Sequence, residues 1–379
     1  MRVKQRRLAL CLAGAVVLGG CGAQGVRAAE GPRPTLRASW ASAGIQDQRQ
    51  AFAAVFCRKL RELSGPRADC GRWHWGAPAG PVADAMPSAP ALRLPRHRTL
   101  VIVPGIFGEC VAPWVTPFSR DYAALEALGY RVKVLPLEGR GSAELNAAII
   151  HRQLSDPALG LENAVVIAYS KGLTDFMLAA SQPAAAAWRD DVEVLVSVAG
   201  TANGSPVANR GATLYERLLA RLPLKHCGPS DGGGARSLTY ARAMAVAEGF
   251  AAAKPPFASY SVVAVARKGK VNPALAGSYR LLARIDERND GQVLLEDAVV
   301  PGSTVLGVFR ADHWSIALPF EESDALAVAL LRRNNSFPRG ALVRALLEFT
   351  APVAAAGAPL PEAGLRSPVL PAAAGRIRP

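Results

Sequence analysis

The stretch AVVIAYSKG, residues 164–172, decides the fold of this chain. Residues 164–167 form a short apolar run rich in β-branched side chains, which predicts a buried strand. Residues 173–180 are rich in helix formers and predict a helix. Ser170 lies on the turn between them, with small residues two positions before and two positions after it. This pattern predicts a tight strand-to-helix turn that exposes the serine hydroxyl.

The turn resembles the nucleophile elbow of the α/β-hydrolases, usually written G-x-S-x-G. Ala168 replaces the first glycine, and an alanine still allows strand and helix to pass closely. The resemblance implies that Ser170 is a nucleophile. It also implies that the family's other catalytic groups follow along the chain in the order serine, acid, histidine.

Alternating strand and helix signals surround this turn. Apolar runs bounded by turn residues lie at 100–103, 132–137, 164–169, 192–198, 261–266 and 304–309. Helical patterns lie at 121–128, 142–154, 173–181 and 323–332. Continuous apolar strands alternating with helices predict a mostly parallel sheet covered on both faces. The resemblance covers roughly residues 98–335 and implies an α/β-hydrolase fold.

The stretch 201–259 is too long for a simple crossover between two strands. Residues 214–222 have an amphipathic pattern, and a loop at 227–234 follows them. An insertion above the strand ends could act as a cap or lid over the site. A peripheral decoration of the fold is the alternative, and the sequence leaves both open.

The candidate base is His313. Three of the five histidines precede Ser170, and a fourth, His226, lies within the 201–259 insertion. His313 directly follows the last predicted strand, where the family places its base. The resemblance therefore implies that His313 takes the proton of the serine hydroxyl.

The candidate acid lies on the segment between the last two predicted strands. Asp290 is followed by a glycine, which resembles the acid turn of many lipases and esterases. Its role would be to fix the imidazole tautomer and to stabilise the imidazolium. Asp286 and Asp297 are nearby alternatives, and Asn-Asp-Gly is also an ordinary turn sequence.

The segment VPGIFG, residues 103–108, resembles the oxyanion loop of lipases, with Pro104 in place of the usual histidine. The resemblance implies an oxyanion hole made of the backbone N–H of Ile106 or Phe107 together with that of Lys171. An ordinary glycine turn after a strand is the alternative. We expect the Lys171 side chain to point away from the serine, and Asp175 to be solvated or to cap a helix.

The N-terminus has the pattern of a targeting segment. Basic residues precede an apolar stretch at 8–18 that is too short to span a bilayer. It ends in Leu-Gly-Gly-Cys21, which resembles a bacterial lipobox and implies cleavage after residue 20 and lipid attachment to Cys21. An ordinary secretory signal with an unrelated cysteine is the alternative. Either pattern predicts export to the cell envelope.

Two further segments precede and follow the predicted hydrolase domain, residues 98–350. Residues 21–97 are expected to hold a tether, an amphipathic helix at 46–63 and a Pro/Ala-rich linker. The apolar face of that helix would be formed by Phe52, Val55, Phe56, Leu60 and Leu63. Residues 351–379 are rich in Ala, Pro and Gly, which predicts a disordered tail.

The charge balance of the chain is basic. The net charge is +14, and loss of residues 1–20 would leave about +10. Such a balance favours anionic membrane surfaces. A solvated surface that is rich in arginine because of a high-GC genome is an equally good explanation. The basic residues are scattered and no nucleic-acid-binding motif accompanies them, so we predict no nucleic-acid partner.

Four cysteines remain beyond residue 21, which in an oxidising compartment suggests disulfides. Cys57 and Cys70 flank one helix end and make the most natural pair, and Cys110 with Cys227 would follow by elimination. Four cysteines allow three connectivities, so the pairing stays open. No cysteine has metal-site spacing with histidine, and we expect no cofactor.

These patterns together predict an exported, lipid-anchored serine hydrolase that cleaves carboxylic esters, with a lipid or another acyl ester as substrate. Acyl transfer and thioester or amide cleavage use the same groups. The alternative function, from the class of binding proteins, is a non-catalytic lipoprotein that keeps the fold as a binding scaffold. The sequence predicts no particular protein partner for this chain.

Overall fold

The computed structural model describes residues 44–74, 98–218, 230–324 and 326–356. The predicted signal peptide, Cys21, the Pro/Ala-rich linker, Cys227 and most of the predicted tail lie outside these residues. None of the described helices is long and apolar enough to cross a bilayer.

The strands are β1 Gln46–Asp47, β2 Thr99–Val103, β3 Arg131–Val134, β4 Ala164–Tyr169, β5 Val192–Val198, β6 Ala258–Ala264 and β7 Thr304–Phe309. They form one parallel sheet in the order β1-β7-β6-β5-β4-β2-β3. The predicted mostly parallel sheet is confirmed, and three of the six predicted strands have the predicted bounds. The two-residue edge strand β1 was not predicted.

Nine α-helices are found in the described part of the chain. They are α1 Arg49–Ser64, α2 Gly108–Val111, α3 Tyr122–Ala127, α4 Ala143–Leu154, α5 Lys171–Ser181, α6 Pro206–Leu218, α7 Tyr240–Ala253, α8 Ala276–Leu282 and α9 Arg339–Ala356. The α-helix predicted at 323–332 is wrong, because the described residues of that segment contain a 3₁₀ helix at Leu326–Leu331 instead.

The core lies on both faces of the sheet, as continuous apolar strands require. Alternate residues of β4 separate into two clusters: Val165 and Ile167 pack on one face, and Val166 and Ala168 pack on the other. Helices α1 and α9 pack together on the first face, and α4, α5 and α7 pack in a row on the second.

The sheet includes residues that we predicted to lie outside the hydrolase domain. Strand β1 pairs with β7, and the fully buried Phe52 and Phe56 of α1 pack against Phe309. The predicted domain start at 98 is therefore too late, because residues 46–64 are part of the core. Leu63 is 45% exposed, so the predicted apolar face ends one turn earlier.

The opposite domain boundary was also misplaced. Helix α9 continues to Ala356, so the boundary predicted at 350 falls inside a helix. Its residues Leu342 and Leu346 are buried in the first-face cluster. The helix was missed because small apolar residues over 351–356 have the composition of a disordered tail.

The stretch 201–259 does not form one insertion. Helix α7 packs against α5, and its Ala247 and Phe250 lie in the core on the second face. It is thus the crossover helix between β5 and β6, and the predicted cap boundary at 259 is wrong. Only residues 201–238 remain candidates for a cap.

Candidate active site

The β4–α5 turn has a strained backbone at Ser170, with φ 54° and ψ −127°. Such a conformation is costly for a residue with a side chain and persists only where the surroundings impose it. A Cβ added to Gly172 would lie 2.5 Å from the carbonyl oxygens of Val103 and Pro104. A Cβ on Gly105 would lie 2.8 Å from the Cβ of Ser170. The two glycines therefore let the turn and the loop after β2 touch.

Three side chains predicted from different parts of the sequence meet at this turn. The distance between Ser170 Oγ and His313 Nε2 is 2.8 Å, and that between His313 Nδ1 and Asp290 Oδ2 is 2.7 Å. A carboxylate only accepts hydrogen bonds, so Nδ1 carries the proton and donates a hydrogen bond to Asp290. Nε2 is then free to accept the hydrogen bond from the serine hydroxyl, as a general base must.

The carboxylate of Asp290 is fixed on both oxygens. Oδ1 accepts the backbone N–H groups of Gln292 and Val293, both at 2.8 Å, and Oδ2 accepts His313 Nδ1–H. The His313 backbone N–H also donates to the Asp290 carbonyl oxygen at 2.9 Å. These bonds hold the acid loop and the histidine loop together, which fixes the orientation of the imidazole.

The two alternative acids lie in other hydrogen-bond networks. The Asp286 carboxylate is held by the Arg288 guanidinium. Asp297 accepts the Tyr240 hydroxyl at 2.7 Å, and burial raises its pKa to about 7. Among the three candidates, only Asp290 has a hydrogen bond to His313.

Two of the three predicted oxyanion donors have free backbone N–H groups. Phe107 donates its N–H to the Gly139 carbonyl oxygen at 3.0 Å, so this donor is already used and that part of the prediction is wrong. The N–H groups of Ile106 and Lys171 have no acceptor among the described residues. Lys171 N–H opens α5, where the helix dipole adds positive potential beside Ser170. This pair can receive an oxyanion.

The fold is similar to that of a solved structure. A metagenomic carboxyl esterase shares 30% sequence identity with this chain, and the match covers 84% of this chain and 96% of that one with a TM-score of 0.72. The chain belongs to the α/β-hydrolase superfamily. Within it, the protein is a carboxylesterase- and lipase-like hydrolase.

Two other solved hydrolases are less similar to this chain. A Bacillus licheniformis lipase in its mature form is 20% identical, with 60% of this chain and 88% of that one covered and a TM-score of 0.46. A carboxylesterase of the thaumarchaeon Nitrososphaera gargenis is 14% identical, with 68% and 90% covered and a TM-score of 0.37. No protein-family model matches the chain, and no curated protein matches it in sequence.

The hydrolase contains a buried ion pair that we did not expect. Lys171 points away from Ser170, as expected, but its ammonium lies 2.5 and 2.8 Å from the carboxylate oxygens of Asp175. Both side chains are almost fully buried, and Asn146 also donates to Asp175 at 2.7 Å. The expectation of a solvated or capping Asp175 is therefore wrong. The i, i+4 spacing of lysine and aspartate was the available signal.

Asn146 connects this ion pair to the loop beside the oxyanion donors. Its side chain exchanges two hydrogen bonds with the backbone of Glu138, both at 3.0 Å. The next residue, Gly139, accepts the Phe107 N–H and donates to the Glu109 carboxylate. Helix α5 and the loop after β2 are thus linked by a continuous polar network beneath the site.

The loop that carries His313 has its own buried anchor. Asp312 accepts backbone N–H groups from Asn272 at 2.7 Å and from Ser315 at 2.8 Å. Burial raises the pKa of this carboxyl to about 6, against the effect of these hydrogen bonds. From below, the Tyr169 hydroxyl donates to the His313 carbonyl oxygen at 2.8 Å. No pattern in the sequence predicts either contact.

Part of the 201–238 stretch packs on the oxyanion loop. Ala212 and Ala235 form a small apolar cluster with Ile106 and Phe107. A cap role for this stretch stays a prediction. Asp231 anchors it by accepting the Ser142 backbone N–H at 2.8 Å. Ser142 caps α4, as its sequence context predicts.

The structure contains the expected disulfide between Cys57 and Cys70, which joins α1 to the turn after it. Cys110 of α2 is also disulfide-bonded. Its predicted partner, Cys227, lies outside the described residues. Among the side chains that the structure describes, no group of three or more His, Cys, Asp or Glu is placed to hold a metal ion.

Proposed function

We propose that this hydrolase cleaves carboxylic esters through Ser170, His313 and Asp290 and a covalent acyl-enzyme. The observation that carries the proposal is the continuous hydrogen-bonded line from Ser170 Oγ through the imidazole to Asp290, with distances of 2.8 and 2.7 Å. The carboxyl esterase that is 30% identical to this chain supports the same reaction class.

The proposed reaction follows from the roles of these groups. Ser170 Oγ attacks the ester carbonyl while His313 Nε2 takes its proton, and Asp290 stabilises the resulting imidazolium. The oxyanion of the tetrahedral intermediate accepts hydrogen bonds from the backbone of Ile106 and Lys171. His313 then protonates the leaving alcohol. Water, deprotonated by the same imidazole, releases the acid and restores Ser170.

A fluorophosphonate probe tests the nucleophile directly. We expect it to label the folded protein and to fail on Ser170→Ala. The control variant is Ser155→Ala, an exposed serine at the end of α4, which keeps full labelling. Absence of labelling on the folded parent protein would favour a non-catalytic scaffold, and labelling that survives in Ser170→Ala would place the nucleophile elsewhere.

The acid is tested by a matched pair of variants. Asp290→Asn removes the carboxylate that fixes the imidazole, and we expect kcat to fall about 10,000-fold. Asp286→Asn, four residues earlier, removes a carboxylate that binds the Arg288 guanidinium and leaves kcat within about threefold. The reverse ranking would assign the acid to Asp286.

We further propose that the protein is exported and anchored by lipid on Cys21, and that its substrate is a lipid or another acyl ester. The lipobox-like sequence supports the anchor, and the membrane location supports the substrate class. Mass spectrometry of the N-terminal peptide should find acyl groups on Cys21 and none in Cys21→Ser. A panel of p-nitrophenyl esters of increasing chain length distinguishes short from long acyl groups, and an added alcohol acceptor reveals acyl transfer.

A further inference from the structure

Four basic residues lie on two segments that are hydrogen-bonded to each other beside the catalytic histidine loop. Arg267, Lys268 and Lys270 occupy the loop after β6, and Arg333 lies on the segment before α9; all four are exposed. Within the described part of the chain, none of these side chains forms an ion pair with an acidic group. Other exposed cations of this protein do have partners, such as Arg120 with Glu322.

Hydrogen bonds fix the two segments to each other. The Asn272 side chain donates to the Arg333 carbonyl oxygen at 2.9 Å, and the Asn334 side chain donates to the Val271 carbonyl oxygen at 3.0 Å. The tip of the first segment is a tight turn in which the Lys270 N–H donates to the Arg267 carbonyl oxygen. The four cations thus belong to one fixed structure rather than to two independent loops.

The same structure is joined to the catalytic histidine loop. The Asn272 backbone N–H donates to the buried carboxylate of Asp312 at 2.7 Å, and Asp312 directly precedes His313. In a fully parallel sheet, the loops after β4, β6 and β7 all lie at the carboxyl edge. The basic segments and Ser170 therefore share one edge of the sheet.

We propose that Arg267, Lys268, Lys270 and Arg333 form a docking surface for anionic phospholipid headgroups, which holds the active-site edge against the membrane. Unpaired basic side chains at a membrane surface gain attraction from anionic lipids, and long lysine and arginine side chains reach the headgroups without burying backbone. The inference goes beyond ester hydrolysis and rests on the proposed membrane location. A lipid tether alone leaves the orientation of the site undefined, whereas this surface defines it.

The test compares two double variants in the full chain carrying Cys21→Ser, so that no attached lipid contributes to binding. Lys268→Gln/Lys270→Gln neutralises the proposed surface. The control, Arg152→Gln/Lys254→Gln, removes the same charge from exposed positions that precede β4 and β6, at the opposite edge of the sheet. Binding is measured by sedimentation with phosphatidylcholine vesicles, pure or containing about one third phosphatidylglycerol.

We expect binding of the parent protein to require phosphatidylglycerol and to be lost at about 0.5 M NaCl. Loss of two surface lysines should weaken it about thirtyfold, and the control variant should lose less than about threefold. If both double variants lost vesicle binding equally, net charge alone would explain the loss, and the proposal would be overturned. The proposal would also be overturned if the parent protein bound heparin but not these vesicles, or if it bound both kinds of vesicle equally.

Hydrolysis of a water-soluble p-nitrophenyl ester, measured on the same preparations, separates this inference from the proposed function. Neither double variant alters a group in the proposed mechanism, so both should turn over the soluble ester at the parent rate. Lipid binding without any turnover would refute the esterase proposal and leave the docking surface standing. Turnover without lipid selectivity would refute the docking surface alone.

Discussion

The buried pair of Lys171 and Asp175 makes a strong prediction about stability. Substitution Lys171→Met keeps a long apolar side chain but removes the ammonium, which leaves the Asp175 carboxylate buried with Asn146 as its remaining donor. Breaking a buried ion pair on one side typically costs about 3–5 kcal/mol. We expect a loss near the lower end of that range, because the hydrogen bond from Asn146 persists.

The double variant Lys171→Met/Asp175→Leu should behave differently. Replacing both charges by apolar side chains of similar size avoids the desolvation of two ions. We therefore expect its free energy of unfolding to lie within about 1–2 kcal/mol of the parent value. The double variant would then be more stable than Lys171→Met alone.

The loss in Lys171→Met should depend on pH. Burial already raises the pKa of Asp175 above the ordinary value for an aspartate although Lys171 acts to lower it, and removal of the lysine raises it further. A carboxyl with a raised pKa in the folded state favours folding when protonated, so its contribution is present at low pH and is lost as pH rises through the folded pKa. The destabilisation should thus be smaller at about pH 5 than at about pH 8.

Urea unfolding followed by tryptophan fluorescence measures these differences, with equal slopes required for all variants. Lys254→Met, at an exposed lysine after α7, is the matched control and should change stability by less than about 0.5 kcal/mol. A loss below about 1 kcal/mol in Lys171→Met, or a double variant no more stable than the single one, would refute the reasoning.

Three other expectations concern separate parts of the hydrolase. Gly105→Ala should lower kcat about 100-fold, because its new Cβ would lie 2.8 Å from the Cβ of the nucleophilic serine and must displace the loop. The control Gly211→Ala has open space around the new Cβ and should leave kcat unchanged. Cys57→Ala/Cys70→Ala should lower the free energy of unfolding by about 3 kcal/mol in urea titrations, and an unchanged midpoint would contradict this. Burial raises the pKa of Asp297 to about 7, so the parent protein should lose stability as pH rises from about 4 through 7. Thermal unfolding of Asp297→Asn should show a much weaker dependence of stability on pH. An unchanged dependence would contradict the role of Asp297 in it.

The local patterns of the sequence were sufficient for six of the seven strands and for the nucleophile turn. Strands β4, β5 and β7 have the predicted bounds, because buried parallel strands are continuous apolar runs ended by turn residues. Composition led to a wrong prediction where it fits both a helix and a disordered tail. The Ala-rich end of α9 has the composition of a tail, and it is helical because the earlier turns of α9 pack on the sheet.

The sequence by itself determined the order of the candidate groups, Ser170, Asp290 and His313, since that order belongs to the chain. It left open Asp286 and Asp297 as the acid, because all three lie on one long loop and have the same chemistry. Only the tertiary structure decided that Asp290 contacts the imidazole. The same holds for the buried partner of Lys171 and for the loss of Phe107 as an oxyanion donor. Each of these outcomes depends on which side chains and carbonyl groups lie within about 3 Å of one another. The packing of residues that are far apart in the chain determines those distances.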